Sequence, residues 1–585
     1  MNNEIRTCQN CQKEFRIEPE DFAFYEKVKV PLPTFCPECR QLRRFLFRNG
    51  QFLFKQKDAI AGKEIFSGTP PQAPLTIYEH AYWWSDQWDP LDYGRDYNFS
   101  RSFFEQFREL MYAVPWPSRN IINLVNSDYC DQAGNLKNCY LCFDTGGAED
   151  SAYIVGAPMV KNSFDLTQVV RMELCYEGLG DEACYQAFFS NYCIQCNDVW
   201  FSRDLAGCSN CFGCVNLRNK QYYIFNRPYT KEDYFVELKK FDLGSYKAVV
   251  ELRNKVVELW SKIPNKFMHG THNTDVSGDL IFYSKNTKFS YFVEDVENSK
   301  YCYDLGVGIR DCYDYSAGWE KNELMYEVLI SGENCRNVKF TWDCWPANQD
   351  VEYSVKCASS QNLFGCVGLK KKSYCIFNKQ YSKEDYFALR EKIVKQMSEK
   401  PYIDKGGRVY KYGEFFPFEF SPFAYNETIA NDFFPLSKDE ATKRGFLWRD
   451  MEVKETKVTI KAQDLPDHIK QADDSITKEV IECFSCAKPY RIIQMELDFY
   501  RRFSLPLPRL CPSCRYLERV KYRNAPKFYD KKCQCVGVGD DSGIYKNIAG
   551  HFHKASRCTN EFKTSYAPDK PEIIYCETCY QSEVL

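Results

Sequence analysis

The chain has 585 residues, too many for one hydrophobic core, so about three to five domains are expected. Its 44% apolar content is that of an ordinary globular protein, and no run of about 18 apolar residues offers a membrane span. A net charge of −3 excludes a globally basic nucleic-acid binder but leaves room for a local basic patch. Two quantities are unusual, aromatics at 16% and 30 cysteines. The start, MNNEIRTCQN, lacks the apolar core of a signal peptide. The expected compartment is therefore the cytoplasm, where thiols stay reduced and serve as metal ligands or small core residues.

The first element is a zinc module at 1–93. Cys8-x2-Cys11 and Cys36-x2-Cys39 are separated by 24 residues, and each CxxC turn sets two sulfurs on one side of an ion. The same arrangement returns near the other end, as Cys483-x2-Cys486 and Cys511-x2-Cys514, at a constant shift of 475 residues. These are the first two expected four-thiolate sites. The stretch YWWSDQWDPLDYGRDYNFSRSFFEQFREL (82–110) is dense in aromatics. It is read as bridging the zinc module to the repeated middle of the chain and burying its rings there, rather than as a stacking surface for bases or sugars. With it, 94–129 forms an aromatic linker and helix.

The middle is duplicated. FGCVNLRNKQYYIFNRPYTKEDYF (212–235) matches FGCVGLKKKSYCIFNKQYSKEDYF (364–387), KNSFDL (161–166) matches RDCYDY (310–315), and MELCYE (172–177) matches NELMYE (322–327). The two repeats span 130–265 and 275–400. Aromatics recur in two interleaved sets, Tyr153, Tyr176, Trp200, Tyr223 and Tyr140, Phe164, Phe188, Phe212, each stepping by 23 or 24 residues. In the second repeat Tyr303, Tyr326, Tyr353 and Cys375 keep a similar step. A fixed period of this kind with short strands predicts a parallel β-solenoid, about four coils per repeat, with internal ladders of Cys, Tyr, Phe and Asn. Both repeats end in TKEDYF or SKEDYF, which predicts an N-capped amphipathic helix over the last coil. The fold class expected is therefore mainly β: a duplicated parallel β-solenoid with small zinc-ribbon or treble-clef-like α+β modules at both termini.

Within the first solenoid, Cys193, Cys196, Cys208, Cys211 and Cys214 have ribbon-like spacing. In the second repeat, however, Cys208 aligns with Ser360 and Cys211 with Leu363. The favoured reading is a core ladder, with metal binding at Cys193, Cys196, Cys208 and Cys211 as the alternative. His269-x2-His272 is read as linker. Glu149–Asp150 and Glu294–Asp295 are read as solvated turns rather than a glycosidase-like acid pair.

Residues 401–480 form a connector rich in Phe and Pro, with a short helix from Ser437. Residues 481–585 form a C-terminal double zinc module. At a shift of 497, Cys576 falls on Glu79, Cys579 on Tyr82 and Cys558 on Ala61; at 475, Cys533 falls on Asp58. The C-terminal copy thus holds a second site that the N-terminal copy lacks, favoured as Cys533, Cys558, Cys576 and Cys579. Cys535, or His551 and His553 within the 22-residue insert 536–557, are the substitutes. Three structural Zn2+ ions are expected in all.

CPECRQLRRFLFRNG (36–50) and CPSCRYLERVKYRNA (511–525) raise the question of nucleic acid. Arg40 and Arg515, directly beside the ligands, are expected to offset the charge of the thiolates. Arg43, Arg44, Arg48, Arg519, Lys521 and Arg523 are candidates for phosphate contact. Residues 481–535 carry 12 Lys+Arg against 5 Asp+Glu, and residues 1–55 carry 10 against 7, so the C-terminal module is the stronger candidate.

Through FCPECR, YWWSDQWDP, YGRDY, ELCYE, CFGCVNLRNKQYYIFN and IIYCETCY, the chain resembles a family of uncharacterised cysteine-rich zinc-binding proteins from ultra-small candidate-phylum bacteria. The resemblance implies a cytoplasmic zinc protein and no activity. No phosphate-binding glycine loop, nucleophile elbow or HExxH motif is present. The expectation is a non-enzymatic zinc-stabilised binding or scaffold protein, with RNA, a ribonucleoprotein or another protein as partner and no membrane. The rivals are a β-helix enzyme acting on a polysaccharide or other polymer, and a purely protein–protein assembly factor.

Overall fold

The computed structural model describes residues 3–450, 456–537 and 545–584. These fall into two compact bodies. The first collects the described residues of 1–120, 270–450 and 525–528; the second collects those of 121–269, 451–524 and 529–585. The N-terminal module is therefore folded with the second solenoid, and the C-terminal module with the first. Chain order does not set this pairing; buried ion pairs and packed rings do.

The solenoids are right for type and wrong for period. Successive strands pair parallel with a step of twelve residues: Tyr185 with Asn197, Asn197 with Ser209, Ser209 with Gln221. Part of the second solenoid steps by thirteen, Tyr313 pairing with Tyr326 and Tyr326 with Lys339. The expected four coils per repeat are thus about twice as many. In the first repeat Tyr140, Phe164, Tyr176, Phe188, Trp200 and Phe212 stack with Ala152 in one column of successive turns. Its two interleaved aromatic sets are mostly the odd and even turns of that column.

The reason for twelve is a three-residue side. Every third residue of the first solenoid takes a left-handed backbone conformation, as at Asp165 (φ 57°), Gln168 (φ 50°), Arg171 (φ 57°) and Leu174 (φ 56°). Each such residue turns a corner, so four short sides close a turn. Left-handed non-glycine residues cost about 1–2 kcal/mol each, least for Asn and Asp, which is why these two residues crowd the corners. In the first solenoid the Asn ladders therefore lie outside: Asn126 donates to Asn138 at 3.1 Å, and Asn138 donates to Asp150 at 2.8 Å. In the second, Asn322 and Asn348 are buried in the inward column. Glu149 sits in a similar outer column between Lys137 (2.8 Å) and Lys161 (3.4 Å).

The residue after each corner points inward, and the interior is narrow. Cysteine, serine, alanine and valine fill it by their size, and serine and cysteine serve a second purpose. An inward hydroxyl or thiol of one turn accepts a hydrogen bond from the backbone N–H of the inward residue one turn on. Cys139 N–H donates to Ser127 Oγ at 3.0 Å, Ser163 to Ser151 Oγ at 3.1 Å, Cys175 to Ser163 Oγ at 3.0 Å and Ala187 to Cys175 Sγ at 3.4 Å. These N–H groups are buried and need an acceptor. Burial pushes the thiols of Cys175, Cys302 and Cys375 up to about 12, so they remain protonated.

One inward position carries a carboxyl. Asp181 accepts from Cys193 N–H at 2.7 Å, and its other oxygen is buried with no hydrogen-bond partner. Burial raises its pKa well above the ordinary carboxylate value. The folded state therefore holds a proton that the unfolded chain releases above about pH 4, and stability falls as pH rises through that range. Asp181→Asn keeps the acceptor and removes the ionisation. It is expected to unfold at higher urea than the parent at pH 7 and at the same urea near pH 4; a variant weaker than the parent at pH 7 refutes this account.

Both solenoids close in the same way. Asn226 accepts from Val215 N–H and donates to Val215 carbonyl, each at 2.8 Å, and Asn378 does the same to Val367 at 2.8 Å. The amide side chain stands in for the missing next turn. Beyond them lie helices Lys231–Leu238 and Lys383–Glu399, capped by Thr230 and Ser382, whose hydroxyls accept from Asp233 and Asp385 N–H at 3.1 Å. In the FGC motif, Gly213 (φ +66°) and Gly365 (φ +65°) turn a corner beneath a ring: an added Cβ would lie 2.6 Å from Phe225 or 2.7 Å from Phe377.

The aromatic segment buries five of its ten rings, in the body of the second solenoid. Phe103 packs edge-on to Tyr353 and Phe364, and Phe107 stacks on Phe416 of the connector. Trp83 is buried, and Lys370 Nζ lies 4.3 Å from its ring and 5.1 Å from that of Trp88, with burial lowering the lysine to about 8. The connector's Phe415, Phe416, Phe418 and Phe420 are buried in the same body, and Ser437 caps helix Lys438–Lys443. Among the described residues, no helix is long and apolar enough to cross a membrane.

Candidate metal centres and arginine locks

Each terminal module opens with a tight hairpin. Cys8 N–H donates to Lys13 carbonyl at 2.9 Å and Gln12 N–H returns to Cys8 carbonyl at 3.0 Å, with Gln12 left-handed at φ 61°. Cys483, Lys488 and Ala487 repeat this, with both bonds at 3.0 Å and Ala487 at φ 57°. The second cysteine pair starts a helix. Cys36 and Cys511 are the N-caps of Pro37–Phe45 and Pro512–Val520, with proline in the first turn. Burial pushes the Cys511 thiol up to about 11, and the positive helix end works against that shift.

The sulfurs of Cys8, Cys11, Cys36 and Cys39 lie within 4.8 Å of one another, and so do those of Cys483, Cys486, Cys511 and Cys514. Backbone N–H groups already point at them: Cys36 donates to Cys8 Sγ and Cys511 to Cys483 Sγ, both at 3.2 Å. Asn10 donates to Cys39 Sγ at 3.2 Å. Against the opposing effect of burial, the N–H groups of Cys511 and Cys486 bring Cys483 down to about 7. Four convergent soft donors, with N–H groups aimed at the sulfur, fit a tetrahedral metal ion.

A third four-thiol group forms from Cys533, Cys558, Cys576 and Cys579. Hairpin Tyr529–Lys532/Glu561–Thr564 pairs Lys532 with Glu561, and hairpin Phe54–Lys57/Glu64–Ser67 pairs Lys57 with Glu64 in the same register. Besides the insert 536–557, the two copies differ in what fills the site. In the C-terminal copy Cys576 N–H donates to Cys533 Sγ at 3.2 Å. In the N-terminal copy Glu79 N–H donates to Asp58 Oδ1 at 2.9 Å, Asp58 Oδ2 accepts from Ile60 and Ala61, and Glu79 Oε2 accepts from Ala81 and Tyr82. Two carboxylates bind by hydrogen bonds the turns that thiolates would bind through an ion. A fourth ligand group, Cys535, His551, His553 and Cys579, shares Cys579 with the third. Residues 538–544 of the insert lie outside the described residues.

Cys193, Cys196, Cys208, Cys211 and Cys214 are all inward-facing ladder residues. Their thiols donate to carbonyls, Cys196 to Ile194 at 3.3 Å and Cys208 to Leu217 at 3.4 Å. No metal-capable group includes them among the described residues. Their spacing of three is the length of a solenoid side. His269 stacks on Tyr192 at 3.9 Å and His272 on Tyr283 at 5.0 Å, each in its own aromatic surroundings.

The basic segments are taken up inside the protein. Arg40 and Arg44 both reach Asp314, at 2.9 and 3.2 Å. Arg43 bridges Glu327 (2.5 Å) and Glu414 (3.0 Å), Arg44 also meets Glu327 at 3.3 Å, and Arg48 meets Asp304 at 3.3 Å. Every side chain in this set is at most 5% exposed. In the other body Arg515 meets Asp165 (3.2 Å) and Glu496 (2.8 Å), and Arg519 meets Asp165 at 2.8 Å. The shift of 475 that relates the modules carries Arg40 to Arg515 and Arg44 to Arg519, and the solenoid repeat carries Asp314 to Asp165. One lock has been duplicated with both its halves: two arginines of the module helix close on one aspartate at a solenoid corner. Arg43, Arg44, Arg48 and Arg519 therefore have no guanidinium at the surface for a phosphate, and Arg523 is buried as well. Of the six candidates only Lys521 is exposed, and it pairs with Glu518 at 2.5 Å.

Sequence reasoning missed Asp165 and Asp314, although both stand in the duplicated stretches KNSFDL and RDCYDY. It also placed Arg40 and Arg515 at the metal alone. No family model matches the chain, and no characterised protein matches it either, so of the resemblance there remain the metal-capable cysteine clusters at both ends.

Proposed function

We propose that the chain is a non-enzymatic scaffold in which zinc modules act as staples. Each module folds around its ion and fastens, through its arginine helix, to a corner of one solenoid. Zinc is the reading that four thiolates in a closed tetrahedral group support best, and such a group leaves no position for substrate water. The observation that carries the proposal is the duplicated lock: the residues that invited a nucleic-acid reading serve the same internal contact twice. The enzyme reading finds no support in the Glu149–Asp150 pair, since Glu149 is held between two lysines.

With the candidate guanidiniums buried, the outer columns of the solenoids are left as the binding surface, and a protein is the partner proposed for them. A salt-titrated anisotropy assay with a labelled single-stranded RNA tests this. Binding is expected to be absent, or weak and insensitive to salt. Affinity that falls steeply with salt and is lost in Lys521→Glu would return RNA as the partner.

A further inference from the structure

The C-terminal module gathers more ligand atoms than one tetrahedral ion can take. Cys533, Cys558, Cys576 and Cys579 form one group, and Cys535, His551, His553 and Cys579 form another; within each, the ligand atoms lie within 4.8 Å of one another. We propose that this module binds two metal ions joined through the Cys579 thiolate, so that the chain carries four ions rather than three.

The two histidines are oriented for it from outside. His551 Nε2 lies 2.8 Å from Glu583 Oε1, a buried carboxylate that also accepts from Ile548 and Ala549 N–H at 3.1 Å. That bond holds the proton on Nε2 and leaves Nδ1, 3.6 Å from Cys535 Sγ, as the lone pair facing the site. His553 is fixed the opposite way round. Its Nδ1 lies 2.6 Å from Ser556 carbonyl, and its free Nε2 lies 3.3 Å from Cys579 Sγ. Two imidazoles of opposite tautomer, each anchored by an outer acceptor, present both unprotonated nitrogens to the same point. Outer acceptors that fix each ring's proton in this way are what a histidine-ligated metal needs around it.

The sulfur side is prepared as well. Cys535 is fully buried and accepts from Asn547 Nδ2 at 3.2 Å, and Asn547 is held in turn by Tyr575 OH at 2.7 Å. The charge also improves. One zinc on four thiolates carries −2, whereas two zincs on five thiolates and two neutral imidazoles carry −1. A buried cluster gains by the smaller charge. The N-terminal copy agrees: it lacks the insert that supplies both histidines and has Tyr82 in place of Cys579, so it lost both ion sites together.

The inference goes beyond the scaffold reading, and one experiment separates them. Metal content of the full-length protein by mass spectrometry is expected at four zinc per chain, falling to three in His551→Ala/His553→Ala. After exchange with cadmium-113, four resonances are expected, two of them scalar-coupled to the same Cys579 β protons. Three zinc ions in the parent, or four cadmium resonances with no shared Cys579 coupling, would overturn the bridged pair while leaving the staples standing. Fewer than three would remove both.

Discussion

Asp314→Ala is expected to destabilise the first body by about 3–5 kcal/mol, the typical result of removing one partner from a buried ion pair. The large value comes from what is left behind. Arg40 loses its carboxylate at 1% exposure, and Arg44 keeps Glu327 as its carboxylate, with Ser316 Oγ beside it. Neither guanidinium can shed its proton to escape the penalty, and neither can reach water without moving helix Pro37–Phe45 off the solenoid. The cheapest response is local: the helix and the knuckle joined to it through Cys36 and Cys39 should open before the solenoid does. Hydrogen exchange read by mass spectrometry should therefore show lost protection at 37–45, with the ladder at 349–376 unchanged. Asp165→Ala should do the same to 512–520 in the second body. Lys521→Ala, which removes an exposed ion pair at the end of that same helix, should stay within about 0.5 kcal/mol of the parent. If Asp314→Ala costs under about 1 kcal/mol, the locks do not hold the modules in place.

The locks also show what the sequence could and could not display. Duplicated CxxC pairs at one constant shift are visible because metal ligands tolerate no change of residue type or spacing. The solenoid was visible as repetition, but its true period was masked. Corners can be occupied by Asn, Asp, Gln, Tyr or Leu, since only the backbone conformation matters there. The inward positions accept Cys, Ser, Ala, Val or Leu, since the interior takes any of these and only some turns use a thiol or hydroxyl to accept an N–H bond. A side of three residues also imitates the metal spacing, so Cys193-x2-Cys196 inside a turn reads like Cys8-x2-Cys11 in a knuckle. What separates them is continuation: the ladder runs on through Val199, Ser202 and Leu205, while a knuckle has one pair. The arginine locks were illegible for another reason. Arg40 and Asp314 are 274 residues apart, and no local pattern states that the N-terminal module folds with the second solenoid rather than with the first.

Metal removal should then discriminate between two copies of one structure. Treatment with a strong chelator is expected to unfold the C-terminal hairpin Tyr529–Lys532/Glu561–Thr564 while the matching hairpin Phe54–Lys57/Glu64–Ser67 keeps its exchange protection. For the C-terminal copy the ion supplies most of the stability. Structural zinc in small modules contributes on the order of 10–16 kcal/mol at neutral pH, and two four-residue strands with few buried side chains have nothing comparable to replace it. The N-terminal copy has made the replacement already. Asp58 accepts from Ile60, Ala61 and Glu79, and Glu79 accepts from Ala81 and Tyr82, so five backbone N–H groups converge on two carboxylates. Its turn is further tied to the first body by Gly68 N–H donating to Ser118 carbonyl at 2.8 Å and by the pairing of Ile77 with Trp116. The converse variant completes the test. Asp58→Ala should cost the N-terminal hairpin about 1.5–3 kcal/mol, the scale of hydrogen bonds to a charged acceptor, with or without chelator. Equal loss of protection in both hairpins on chelation would mean that the carboxylates do not stand in for the metal.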